Sequence, residues 1–191
     1  MEPNDARIQA ALRRNFAEAN NAILKLTAHN ELCASGFSYT GMSFFAIADQ
    51  ALFNDMFASA IRIFDDHKEV GSLWYIIRSH EQIAHKAADA CGISIDKLRE
   101  IIPKLRHIRD KTHFHIDRRS VEQPSLVWEV ANITGDELTN ALRDAAALLA
   151  TIKQEAYGGE LDKLTSYDGS DVREIIDAFS AARDGKRRQH K

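Results

Sequence analysis

Residues 105–117 read Leu-Arg-His-Ile-Arg-Asp-Lys-Thr-His-Phe-His-Ile-Asp and gather three histidines and three cationic side chains. Histidine titrates near pH ~6.5 and can give or take a proton at neutral pH. Arginine stays charged and offers a fork of donors that matches phosphate oxygens. Together they suit cleavage of RNA by its own 2′-hydroxyl. That reaction needs a base at the hydroxyl, an acid at the leaving oxygen and a cation at the phosphorane. It requires no cofactor and no metal.

Metal binding fits the histidines of this chain less well. His80-Glu81-Gln82-Ile83-Ala84-His85 has one residue too many for the zinc-protease helix motif. Its histidines sit at i and i+5, about 140° apart on a helical wheel, whereas a zinc helix needs i and i+4. His113 and His115 are an i, i+2 pair pointing to different sides of a helix, and Asp110 and Asp117 complete no standard ligand set with them and His107. We therefore expect no metal at either place.

The elements that must position these groups are helical. Ile8, Leu12, Phe16, Ala19, Ile23 and Leu26 recur at helical spacing over residues 5–33, and Ser35-Gly36 closes that segment. A second helix is expected from about Met42 to Asp66, apolar on most of its circumference, which suits the centre of a bundle or a subunit interface. A third should start at Ser72 and stop at Gly92. A fourth, over roughly 95–116 and opened by Ser94, contains Pro103, which should kink or split it. Residues 118–133 read as an irregular connection, with Leu126–Ile133 as a minor candidate for an extended piece. Thr134-Gly135-Asp136-Glu137 matches a capping box opening a helix that ends at Gly158-Gly159, and Asp171 opens a last short helix.

Within the fourth helix, Leu98, Ile101, Leu105, Ile108 and Thr112 form one apolar stripe, and His115 continues it about 20° off the same line. Arg109 and His113 share a flanking face, and Arg106 nearly eclipses His113. On a straight helix Arg109 and His115 are separated by about 120° and roughly 9 Å along the axis, too far to grip one phosphate together.

The whole is expected to be a single all-α domain over residues 1–184, followed by a flexible basic tail at 185–191. The net charge of −3 exerts no global pull toward nucleic acid, so any such role needs a local patch. The apolar fraction is 45% and the charged fraction 28%, as in ordinary globular chains, and from the polar start no signal peptide is expected. The longest apolar stretch, Phe44 to Phe64, is interrupted by Asp49, Asn54, Asp55 and Arg62, which argues against a membrane span and for a cytoplasmic protein. Cys33 and Cys91, far apart, read as buried small hydrophobes in a reducing compartment.

The segment Arg109-Asp110-Lys111-Thr112-His113-Phe114-His115 has the form R-[ND]-x-x-x-x-H. It resembles the R-x(4–6)-H signature of HEPN domains, small helical bundles of which many are metal-independent ribonucleases. The five intervening residues and the trailing Asp117 are similar to the abortive-infection U branch of that superfamily. The helix Ala51–Asp66 with its Arg62-x-x-Asp65 ending, followed by Ser72-Leu73-Trp74, adds to the likeness, which covers roughly residues 40–120. Phe114 departs from the pattern, replacing a small residue, and Arg106 with His113 offers a rival register.

The resemblance implies an up-and-down HEPN-like bundle with additional C-terminal helices. It also implies a homodimer in which Arg109 and His115 of both copies line one cleft. The activity it implies is that of an endoribonuclease toxin or phage-defence effector acting on RNA, with a possible antitoxin partner. Asp110, His113, Arg62, Asp65 and Arg106 would support that site, and Lys111, Arg118 and Arg119 would hold flanking phosphates. For Arg62 and Asp65 an ordinary i, i+3 ion pair is an equal alternative. The competing expectations are a non-catalytic helical module that binds RNA, a nucleotide or a partner protein, and a structural dimer without a ligand.

Overall fold

In the computed structural model, which describes residues 3–34, 43–113 and 125–189, the chain is all-helical. Among the described residues eight α-helices pack as a bundle: α1 (Pro3–Ala34), α2 (Ser43–Phe64), α3 (Leu73–Ser79), α4 (Glu81–Cys91), α5 (Ile95–Ile108), α6 (Ser125–Ala131), α7 (Gly135–Tyr157) and α8 (Ser170–Gln189). A single π-helical turn, Arg109–His113, extends α5. No described helix is long and apolar enough to cross a membrane.

Three helices form the heart of the bundle. α1 presents Ile8, Leu12, Ala19, Ala22, Ile23 and Leu26 as one buried stripe against α2 and α7. α7 buries Leu138, Leu142, Ala145, Ala146, Leu148, Leu149 and Ile152, and its alanines let neighbouring backbones approach closely. Thr134 caps it as expected: its hydroxyl accepts from Glu137 N at 3.1 Å. The reciprocal half of the box is missing, because the Glu137 carboxylate accepts from Lys104 Nζ on α5 at 2.6 Å.

α2 is divided. Its C-terminal half buries Met56, Phe57, Ala60, Ile63 and Phe64, whereas Phe44 and Ile47 near its start are 74% and 65% exposed. Only the second half is therefore central to the bundle. Trp74 Nε1 donates to Phe64 O at 3.0 Å and satisfies one of the carbonyls that the end of α2 leaves open.

Several expectations are corrected. The single helix from Ser72 to Gly92 is two, because His80 leaves helical geometry at φ −130°, ψ 46°. His80 Nε2 lies 2.9 Å from Tyr157 Oη, so this histidine ties the α3–α4 junction to the end of α7. Ser72 stands at the N-cap of α3, but its hydroxyl makes no capping bond and is buried without a partner. Pro103 does not split its helix; α5 runs through it to Ile108. Pro103 is on the exposed side, where water can serve the carbonyl that its missing N–H leaves free.

Residues 125–131 are helical rather than irregular or extended. Val127 and Ala131 are buried, and Trp128 stacks edge-on against Phe53 and Phe57 of α2, with centroids 5.3 and 5.0 Å away. The last helix is not short: it continues through Gln189. It lies at the periphery, with Ile176 buried and Arg173 Nη1 2.7 Å from Glu31 Oε2 of α1. Both cysteines are exposed free thiols, not buried hydrophobes.

Candidate functional site

The stripe Leu98, Ile101, Leu105 and Ile108 is buried as its spacing requires, and it turns Arg106 and Arg109 toward the end of α2. Ser94 starts this helix by accepting from Lys97 N. A shallow open pocket results, lined by Ile61, Phe64, Asp65, Asp66, Ile102, Leu105, Arg106 and Arg109. Its floor is apolar and its rim carries two guanidiniums and two carboxylates. Arg106 Nη2 contacts Asp66 Oδ1 at 2.6 Å across the rim. Arg109 Nε donates to Asp110 Oδ1 at 2.8 Å.

The backbone changes character at Arg109. A π turn carries more residues per revolution than an α-helix, so the stripe rotates off the core. Thr112 illustrates the effect. It follows buried Ile108 by four residues, yet it is exposed and donates back to Ile108 O at 2.7 Å. The expectation that Thr112 prolongs the apolar stripe is thus overturned. Lys111 sits in the same turn, half-buried. His113 contributes its backbone to the turn. Its side chain, and Phe114, His115, Asp117, Arg118 and Arg119, lie outside the described residues.

Of two expected supporting residues, Asp65 borders this pocket and Arg62 does not. Asp65 Oδ1 accepts from His67 N at 2.9 Å and braces the turn after α2. Arg62 pairs with Glu18 of α1, Nη2 to Oε2 at 2.8 Å, and donates to Ser59 Oγ at 3.0 Å, so the i, i+3 pair with Asp65 is not the one formed. Arg62 and Glu18 line a separate pocket of about 350 Å³ with Arg14, Asn15, Val70 and Gly71. Burial pushes the Glu18 carboxyl up, but hydrogen bonds from Arg62 and Ser59 and the charges of Arg62 and Arg14 outweigh it. The net result is titration below its ordinary range.

A third constellation joins the end of α1 to the start of α2. His29 Nδ1 lies 2.7 Å from Asp49 Oδ1, and Cys33 Sγ lies 3.6 Å from His29 Nε2 and 4.0 Å from Nδ1. One ligand-capable atom from each of the three residues falls within 4.8 Å of the others. His29 packs against Phe53, centroids 5.2 Å apart. Burial, then the charge of Asp49, pushes the Cys33 thiol up. Sequence reading passed over this group. The i, i+4 spacing of His29 and Cys33 on one helix was the available signal, while Asp49 arrives only through the packing of α2 on α1.

A scan against protein-family models, a search of curated proteins and a search of solved structures each return no match to this chain.

Proposed function

We propose that this protein is a metal-independent endoribonuclease, a toxin or phage-defence effector working as a homodimer, with Arg109 and His115 of both copies acting on one RNA phosphodiester. The observation that carries the reading is the pairing of Arg106 and Arg109 on one open rim at the end of α2. Two guanidiniums on an accessible edge suit a phosphodiester. Asp110, in contact with Arg109, has the position of a group that orients that arginine. The π turn also supports the reading, since such turns occur often at functional sites. The RNA target and the antitoxin partner follow from the HEPN resemblance alone.

In the mechanism proposed, an imidazole takes the 2′-hydroxyl proton while a guanidinium neutralises the phosphorane, and the leaving 5′-oxygen is protonated by the second copy's imidazole. Purified protein should cut single-stranded RNA in EDTA and leave 2′,3′-cyclic phosphate ends. Arg109→Ala and His115→Ala should each lose roughly 10²–10⁴-fold in rate. Undiminished cleavage in both variants would overturn the assignment. A second reading, a non-catalytic RNA-binding module, draws on the carboxylates already held by both arginines. It predicts salt-dependent RNA retention with no cleavage in the same assay.

A further inference from the structure

The chemistry of Cys33, His29 and Asp49 is independent of the RNA reading. These residues supply a thiolate-forming sulfur, an imidazole and a carboxylate, the donor set that zinc accepts in proteins. His29 and Cys33 stand one turn apart on α1, the spacing at which two helical side chains converge. Asp49 reaches them from α2. The site sits thirteen residues before Arg62 on α2, about 20 Å along the axis, and so is remote from the Arg106–Arg109 rim.

The distances discriminate between two uses of such a triad. In a nucleophilic relay the sulfur lies along the Nε2 axis of the ring, much farther from Nδ1 than from Nε2. Here the two separations, 3.6 and 4.0 Å, are nearly equal, so the sulfur sits to the side of that axis. Tetrahedral zinc sets its N, O and S ligands roughly 3.2–3.7 Å apart. Only one ring nitrogen can take the ion; for Nδ1, the one beside Asp49, the sulfur stands 4.0 Å away and must close by a few tenths of an ångström as its side chain turns. The Nδ1–Oδ1 pair at 2.7 Å must open by several tenths of an ångström to admit an ion.

We propose that His29, Cys33 and Asp49 form a zinc site that fastens the N-terminal half of α2 to the end of α1. On binding, the Cys33 thiol loses its proton to solvent and its sulfur takes the metal. The His29–Asp49 hydrogen bond is exchanged for two metal bonds. The side chains of His29 and Asp49 are 18% and 23% exposed, and Cys33 lies open. The fourth coordination position therefore faces water. The metal compensates for weak packing, because this half of α2 exposes Phe44 and Ile47.

Cobalt(II) and zinc are the probes, added to full-length protein. Cobalt should bind one per chain with an intense sulfur-to-metal absorption band, which Cys33→Ser abolishes and Cys91→Ser retains. Asp49→Asn should weaken zinc by at least about tenfold. Zinc should also slow alkylation of Cys33 in unmodified protein while exposed Cys91 reacts as before, a readout that needs no variant to fold. Equal alkylation of both thiols with and without zinc, or a cobalt spectrum unchanged by Cys33→Ser, would overturn the proposal.

Discussion

Arg106 Nη2 stands 2.6 Å from Asp66 Oδ1, so the acidic residue just past α2 occupies the guanidinium that lines the candidate cleft. Both side chains are about half exposed, which limits the pair to less than about 1 kcal/mol of stability. Asp66→Asn should leave folding nearly unchanged and release Arg106 for phosphate. RNA affinity should rise, and the slope of log affinity against log salt should steepen by about 0.7 for a single strand. Titrations of a labelled oligonucleotide at several salt concentrations measure both; an unchanged slope would show that Arg106 does not meet RNA.

Glu18 gives a prediction at acid pH. Its folded titration lies below the ordinary 4.5, so its contribution to stability is present above that value and is lost as pH falls through the folded one. Glu18→Gln should flatten the acid limb of a stability–pH curve obtained from urea unfolding. Arg62→Ala should do the same, because the Arg62 hydrogen bond is the strongest of the influences holding the carboxylate charged.

Tyr167 gives the opposite sign. Burial, then its hydrogen bond to Asp171 and nearby acidic charge, pushes its phenol from 10.0 up to about 12. Its stabilisation is complete below pH 10 and disappears as pH rises toward 12, since the unfolded chain gives up the proton first. Tyr157 is also pushed up by burial, so phenolate absorbance during an alkaline titration should show more than one late tyrosine, with Tyr167 the last, and Tyr167→Phe should remove that final step.

Gly169 separates two costs that are usually mixed. It has φ +73°, and a Cβ there would meet Glu31 Cγ at 2.4 Å. Glu31 is the partner of Arg173, so relieving the clash disturbs the contact that holds α8. Gly92 has a similar φ of +67° with nothing within 4 Å of its Cβ position. Gly92→Ala should cost about 1–2 kcal/mol from the backbone alone. Gly169→Ala should cost more, and equal losses in thermal or urea unfolding would show that Glu31 yields freely.

Much of the helical layout could be read in advance, because it rests on local rules. The buried stripes of α1 and α5, the caps at Ser94 and Thr134 and the stop at Gly158 all appear where periodicity and short-range hydrogen bonding place them. The failures share a cause. The break at His80 coincides with a bond to Tyr157, far along the chain, and the helix at Ser125–Ala131 packs an aromatic residue against α2. Neither contact has a signal in the nearby sequence.

The candidate site divides in the same way. Composition and spacing alone determined a helical chain with Arg106, Arg109 and their histidine neighbours concentrated in one segment, since side-chain chemistry and helical period are properties of adjacent residues. Tertiary structure decided which acid each base meets: Arg62 takes Glu18 rather than Asp65, Arg106 takes Asp66, and His29 takes Asp49. It also decided that the turn after Ile108 is a π turn, which rotates Thr112 out of the stripe. Partners separated by 20 to 44 positions are chosen by how helices pack, and no local pattern encodes that choice.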